Sequence, residues 1–318
     1  MRDYLYLAPL QSFTDHHFRN AFQQLLGDVD RFYAPYLKMD YSGQIKEGPK
    51  KDVLPVNNLF EPVVPQIMAC SAEDFIEMAK YLKDQGYKEV NWNLGCPYPM
   101  VAKRDLGSGI LNKPEKLYGI LDEVLPALDM QLGIKMRMGY EDTEDILTIL
   151  PRLNDYPLEE IIVHARYGKQ LYNGVCDHDR FRECIPLSNH RLVYNGDIRS
   201  VKDFRHLKQL FPEVKHWMIG RGAISNPFLF EMIQEDSDLF PEDRMEVFSE
   251  FLELLLESHL RSSDNEGNVL LKMAHFWEYF MESFEEGLGL YRIVKKISSV
   301  REYRKFIVEL ADSVQVDF

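Results

Sequence analysis

The chain has 318 residues, with 37 Lys+Arg against 51 Asp+Glu, a net charge of −14, 45% hydrophobic residues and 28% charged residues. This is ordinary globular usage; it excludes disordered, collagen-like and coiled-coil chains, and a chain of about this size buries roughly three quarters of its unfolded surface. No run approaches the ~18 apolar residues of a membrane span, and the acidic balance argues against a generic nucleic-acid binder, which carries a basic field.

The opening Met1-Arg2-Asp3 leads into Tyr4–Leu10, an apolar stretch too short for an export signal and broken by Pro9. Short β-rich runs then alternate with amphipathic runs. The strand-like runs are Tyr4–Pro9, Arg31–Ala34, Val63–Ala69, Glu89–Gly95, Leu132–Met138, Glu160–Arg166, Arg191–Asp197 and Trp217–Arg221. Between them, Ser71-Ala-Glu-Asp has a capping-box pattern and its helix ends at Gly86. Pro114 opens a helix to about Leu128, and Ser200 caps another to about Phe211. Eight apolar strands alternating with helices predict a parallel sheet closed as a (β/α)8 TIM barrel, class α/β. An open dinucleotide-binding sheet would place a Gly-x-Gly-x-x-Gly turn after its first strand, and none follows Leu7-Ala8-Pro9.

From about Pro241 the period becomes helical, over Met245–Leu260, Val269–Phe284 and Leu290–Leu310. The predicted domains are a barrel over 1–240 and a smaller all-helical unit over 241–318. The cysteines Cys70, Cys96, Cys176 and Cys184 form no Cys-x-x-Cys pair. They predict neither a disulfide framework nor a metal site, and a reducing, cytoplasmic compartment.

In this barrel class, function sits at the C-terminal ends of the strands. Polar residues recur there: Gln66, Asn93 with Cys96, Lys135 with Arg137, His164 with Arg166, Asn195-Gly196-Asp197 and Gly220-Arg221. The last two runs are glycine-containing turns where barrels commonly bind phosphate, and Arg221 suits a bidentate contact; the alternative is that the glycines only make tight turns. Lys135 and Arg137 point to one face of a strand and need an anion, an electron-rich ring or a barrel carboxylate as partner. Cys96 alone reads equally as buried and inert or as functional.

Together these residues resemble the tRNA-dihydrouridine synthase family of flavoproteins. The resemblance rests on Asn93-Leu94-Gly95-Cys96-Pro97 continuing to Gly107-Ser108-Gly109-Ile110-Leu111, and on His164-Ala165-Arg166 followed by Gln170, Tyr172 and Gly174. It also rests on Asn195-Gly196-Asp197-Ile198, on Ile219-Gly220-Arg221-Gly222-Ala223, and on the opening Leu7-Ala8-Pro9-Leu10 with Thr14-Asp15. The resemblance implies FMN across the barrel mouth and NADPH as reductant. Ala8, Pro9 and Leu10 would border the flavin. Gln66, Lys135 and His164 would contact its ring, and Asn195, Gly196, Asp197, Gly220 and Arg221 its phosphate end. Asn93, Arg137, Arg166 and Tyr172 would face the uracil, and Cys96 would be the acid. The partner would be tRNA, docked partly by the helical unit, with no membrane or metal and the chain a monomer. The alternative is another FMN barrel reducing a free pyrimidine or enone.

The charge is uneven. Residues 231–318 hold 9 basic and 20 acidic residues, yet six of the nine basics fall at Arg292, Lys295, Lys296, Arg301, Arg304 and Lys305. They predict a helix broken near Ser298-Ser299 and a local phosphate-contacting patch, extended by Arg19, Lys38, Lys103, Arg104 and Lys169.

Overall fold

The computed structural model describes residues 2–60 and 62–312. Nine parallel strands form one sheet: β1 (Tyr4–Leu7), β2 (Arg31–Tyr33), β3 (Val63–Val64), β4 (Gln66–Ile67), β5 (Glu89–Leu94), β6 (Gln131–Arg137), β7 (Leu158–His164), β8 (Arg191–Asn195) and β9 (His216–Ile219). Their order is β3-β2-β1-β9-β8-β7-β6-β5-β4. The two ends of that order, β3 and β4, are consecutive in the chain and separated by Pro65 alone. The sheet therefore closes on itself as an eight-position barrel.

The ninth strand corrects the expected eight. Pro65 has no N–H for the ladder and splits the third run. Its carbonyl still accepts from Asn91 N at 3.0 Å, and Leu37, beyond β2, pairs with Ile67. The expected strands were also too long at their C-terminal ends, by one or two residues. Gln66, Asn93, Lys135, Arg137, His164 and Asn195 stay in the strands, whereas Cys96, Arg166 and Asp197 lie in the loops beyond them.

The capped helices form as their sequences require. Ser71 accepts from Asp74 N ahead of Ala72–Asp84, and Ser200 from Asp203 N ahead of Val201–Leu210. Pro114 opens Pro114–Ala127. Side chains facing inward, including Tyr6, Tyr33, Val64, Ile162, Val193 and Met218, fill the barrel. A larger core packs the helices around it and continues into the C-terminal helices.

Those helices are Arg244–Arg261, Glu266–Phe280, Gly287–Val294 and Val300–Asp312. The run predicted over Leu290–Leu310 is broken at Ser298-Ser299 by a capping box. Ser299 Oγ accepts from Glu302 N at 3.2 Å, and the Glu302 carboxylate accepts from Ser298 N at 2.9 Å. The unit is packed on the barrel helix His16–Leu25: Phe18 stacks on Phe276 with centroids 5.6 Å apart and meets Phe251 edge-on at 5.7 Å.

Candidate active site

At the C-terminal mouth of the barrel lie two adjoining clefts. They share Pro9, Leu10, Lys135, His164, Tyr172 and Arg221. The first continues over Ala8, Asn195–Arg199 and Gly220–Gly222; the second over Tyr36, Asn93, Cys96, Tyr98, Arg137 and Tyr279.

The first cleft is rich in cations. Lys135 donates to Asn195 Oδ1 at 2.8 Å. Burial, and then the neighbouring Arg137, pull its amine down to about 7. Burial and four surrounding cations, first among them Arg137, hold His164 far below its ordinary pKa, so the ring is neutral. Arg166 Nη1 lies 3.3 Å from His164 Nε2 and only donates, which leaves the ring hydrogen on Nδ1. Asp197 is the carboxylate of this group. It is braced by both Arg166 nitrogens and by Arg221 Nη2 at 2.9 Å. Burial opposes its charge, but Arg166 and Arg221 outweigh that and lower its pKa. Asp197 takes φ +41° and Gly196 φ +150°, where a Cβ would stand 2.6 Å from Cys176 Sγ. The turn after β8 is thus built tightly, with glycine where another residue does not fit.

In the second cleft the loop after β5 carries Cys96. Asn93 Oδ1 accepts from Gly95 N at 3.1 Å and Cys96 N at 3.0 Å, and Asn93 Nδ2 donates to Gln66 at 2.8 Å. The Cys96 carbonyl accepts from both Ser108 N and Ser108 Oγ at 3.0 Å. Gly107 is required beneath it, because a Cβ there would lie 2.5 Å from that carbonyl. Burial raises the Cys96 pKa, so the group is a thiol at neutral pH. Arg137 donates to Tyr167 O at 2.7 Å, its Nε has no partner, and it sits over the Tyr172 ring at 5.2 Å. Arg221 covers the same ring at 4.7 Å.

The family model for dihydrouridine synthases (Dus) matches residues 6–312. The chain belongs to the dihydrouridine synthase family. It is 27% identical over 264 residues to "tRNA-dihydrouridine(47) synthase [NAD(P)(+)]-like" of Arabidopsis thaliana, covering 80% of this chain and 38% of that protein. The Homo sapiens relative of the same description is 26% identical, covering 84% and 41%. A "Probable tRNA-dihydrouridine synthase" of Staphylococcus epidermidis is 28% identical over 237 residues, covering 72% of each. The chain thus spans about two fifths of the length of the eukaryotic relatives it matches. Among solved structures, morphinone reductase superposes with TM-score 0.53 at 12% identity, covering 78% of this chain and 88% of that one. Histamine dehydrogenase from Rhizobium sp. 4-9 gives 0.56 at 10% identity, covering 79% and 48%. At that identity the likeness is one of fold.

In this family member the mouth brings together Ala8, Pro9, Leu10, Lys135, His164, Asn195, Gly196, Asp197, Gly220 and Arg221 in one cleft, and Asn93, Cys96, Arg137 and Tyr172 in its neighbour. Gln66 and Arg166 line neither. Gln66 lies one layer down, its amide spent between Asn91 and Asn93. Arg166 stands behind His164 and Asp197 and also donates to Gly174 O at 2.8 Å. Arg19, expected to extend the phosphate-contacting patch, is 2% exposed and bonds Thr14 O, Asp52 O and Asn58 Oδ1, so it braces the fold. Tyr36 and Tyr279 line the second cleft without any sequence signal for it. Among the described residues no group of three or more His, Cys, Asp or Glu is placed to hold a metal, and no helix is long and apolar enough to cross a membrane.

Proposed function

We propose that this chain reduces uridines in tRNA to 5,6-dihydrouridine, with FMN bound in the first cleft and NADPH as reductant. The observation that carries the proposal is the pair of clefts sharing Lys135 and His164, with Cys96 in one and the Gly196-Asp197 and Gly220-Arg221 turns in the other. The residues fit an anionic, planar cofactor: several buried cations face one carboxylate, which Arg166 and Arg221 already pair. Arg221 and the backbone of both turns would hold the phosphate. Ala8, Pro9 and Leu10 would border the ring, and Lys135 would stabilise negative charge on it. The chemistry FMN supplies when bound is hydride donation to uracil C6, after reduction by NADPH.

The rest falls to this chain. Cys96 holds a proton as a neutral thiol and delivers it to C5. Asn93 orients the loop bearing that thiol. Arg137, with an unpartnered Nε, donates to the uracil and draws charge from the ring. The base must leave the RNA stack to reach these groups. We further propose that the helices after Pro241 form the RNA-docking unit.

Purified holoenzyme with NADPH is expected to form dihydrouridine in unmodified tRNA transcript. Product on free pyrimidines or enones but none in tRNA would replace this reading with that of a small-molecule reductase.

A further inference from the structure

The second cleft is closed partly by the C-terminal helices. Tyr279, at the end of Glu266–Phe280, lines it together with Cys96 and Tyr98. Two fastenings fix Tyr279 in place. Phe13, in the loop after β1, meets the Tyr279 ring edge-on at 4.9 Å and 87°, and itself stacks on His275 at 4.3 Å. Lys272 donates to Ser12 O at 2.7 Å and pairs with Asp15 at 2.8 Å. The loop after β1 and this helix are therefore joined by ring packing, a hydrogen bond and an ion pair. Tyr98 comes from the barrel, in the loop that carries Cys96. Its carbonyl accepts from Val101 N and Ala102 N at 2.8 and 2.9 Å, yet the residue remains 57% exposed.

Neither ring is needed for the proton and hydride steps. Tyr98 is exposed and Tyr279 half-buried and held by Phe13, so two aromatic rings from different parts of the fold border the cleft that contains the Cys96 thiol. A base drawn from an RNA stack leaves its neighbours with a lost stacking face. Aromatic side chains restore such a face without regard to sequence. A free pyrimidine, in contrast, has no neighbour to place at the mouth.

We propose that Tyr98 and Tyr279 form a two-sided aromatic mouth, one side from the barrel and one from the helical unit, that stacks on the RNA nucleotide flanking the extruded uridine. This rests on the reading of the chain as a tRNA-dihydrouridine synthase. It makes the helical unit part of the active site, because the cleft is incomplete without Tyr279.

The test is steady-state dihydrouridine formation by holoenzyme on unmodified tRNA transcript. Tyr98→Ala and Tyr279→Ala are expected to raise KM by about tenfold or more, with a much smaller change in kcat. Tyr98→Phe and Tyr279→Phe, which keep the ring, are expected to restore KM to within about twofold of the parent. Tyr98 is exposed, so its alanine variant leaves the core intact and keeps the test decisive if Tyr279→Ala fails to fold. KM for tRNA unmoved in Tyr98→Ala, or a fall in kcat with KM unmoved, overturns the mouth. A wild-type holoenzyme that makes no dihydrouridine in tRNA overturns the underlying reading, and the mouth with it.

Discussion

Cys96 is held chiefly through its backbone, and its sulfur also meets Tyr36 and the Tyr98 backbone. Its N–H is capped by Asn93 and its carbonyl is held twice by Ser108. Cys96→Ala should therefore keep the loop and the flavin while slowing dihydrouridine formation by about 10²–10⁴-fold, the usual worth of a positioned acid. Absorbance of the purified variant and product assay on tRNA measure the two separately; a colourless variant would contradict the role. Asn93→Ala is expected to slow the reaction comparably for a different reason, since two capped N–H groups of the thiol loop lose their acceptor; kcat at saturating tRNA reports it. Lys135 gives a pH prediction. Burial and the neighbouring Arg137 bring its amine to about 7, against 10.5 for a free lysine. Unfolding takes up a proton between those values, so the native state gains stability as pH rises from about 7 toward 10.5. An anionic ligand held nearby restores the charge, so FMN binding at pH 8 should take up protons. Calorimetry in buffers of different ionisation enthalpy measures this, and Lys135→Met should abolish most of it. The types at each strand end were legible in the sequence because a buried cation or amide needs a partner. Depth was not. Gln66 and Asn93 both lie in the barrel wall, but only the structure reveals that Gln66 spends its amide on Asn91 and Asn93 and does not reach the cleft.

At the scale of elements, the seam between the barrel helix His16–Leu25 and the helix Arg244–Arg261 buries histidines. The rings of His17 and His259 lie 4.3 Å apart and those of His16 and His17 3.8 Å, faced by Asp15, Asp52 and Lys272. His17 bonds Ser258 and Ser262 through its two nitrogens. Burial lowers His17 to about 3 and His259 to about 4. The unfolded chain binds these protons near 6.5, so the contribution is present above pH 6.5 and is lost as pH falls through 4 toward 3. The loss is on the order of a few kcal/mol. Melting temperature between pH 7 and 4 should fall less steeply in His259→Gln, by about one proton's slope; an unchanged slope would remove His259 from the effect. The helices themselves were legible, because Ser71 and Ser200 are local signals that act within one turn. The split at Pro65 and the seam were less so. Phe13, Asp15, Lys272 and Tyr279 meet only once the chain has folded, and no spacing in the sequence encodes that meeting.

For the whole molecule the question is how a chain of net charge −14 would hold the proposed RNA substrate. The six basic residues near the C-terminus are not equivalent. Arg304 is spent on Glu253 at 2.9 Å and on Glu257, and Lys305 pairs with Glu309 at 3.3 Å. Arg292, Lys295, Lys296 and Arg301 enter no ion pair among the described residues, although Lys295 rests on the Tyr291 ring at 5.2 Å. Around the barrel, Lys169 is paired with Glu141, whereas Lys38 and Arg104 lie over Tyr36 and Tyr41. A cation already paired with a carboxylate releases no counterion from RNA, so the sum of basic residues overstates the patch. Four unpaired cations correspond to a slope of log affinity against log salt of about −3. Binding of unmodified tRNA should then weaken roughly sixtyfold between 50 and 200 mM salt. Lys295→Gln with Lys296→Gln should make the slope shallower by about 1.5, while Arg304→Gln should leave the slope unchanged and lower only the melting temperature, as the loss of an exposed pair does. Equal slopes in all three proteins would place the RNA on a different face. A shallower slope in Arg304→Gln would mean that RNA displaces Glu253 and Glu257, so that docking itself breaks the ion pairs that hold the last helix.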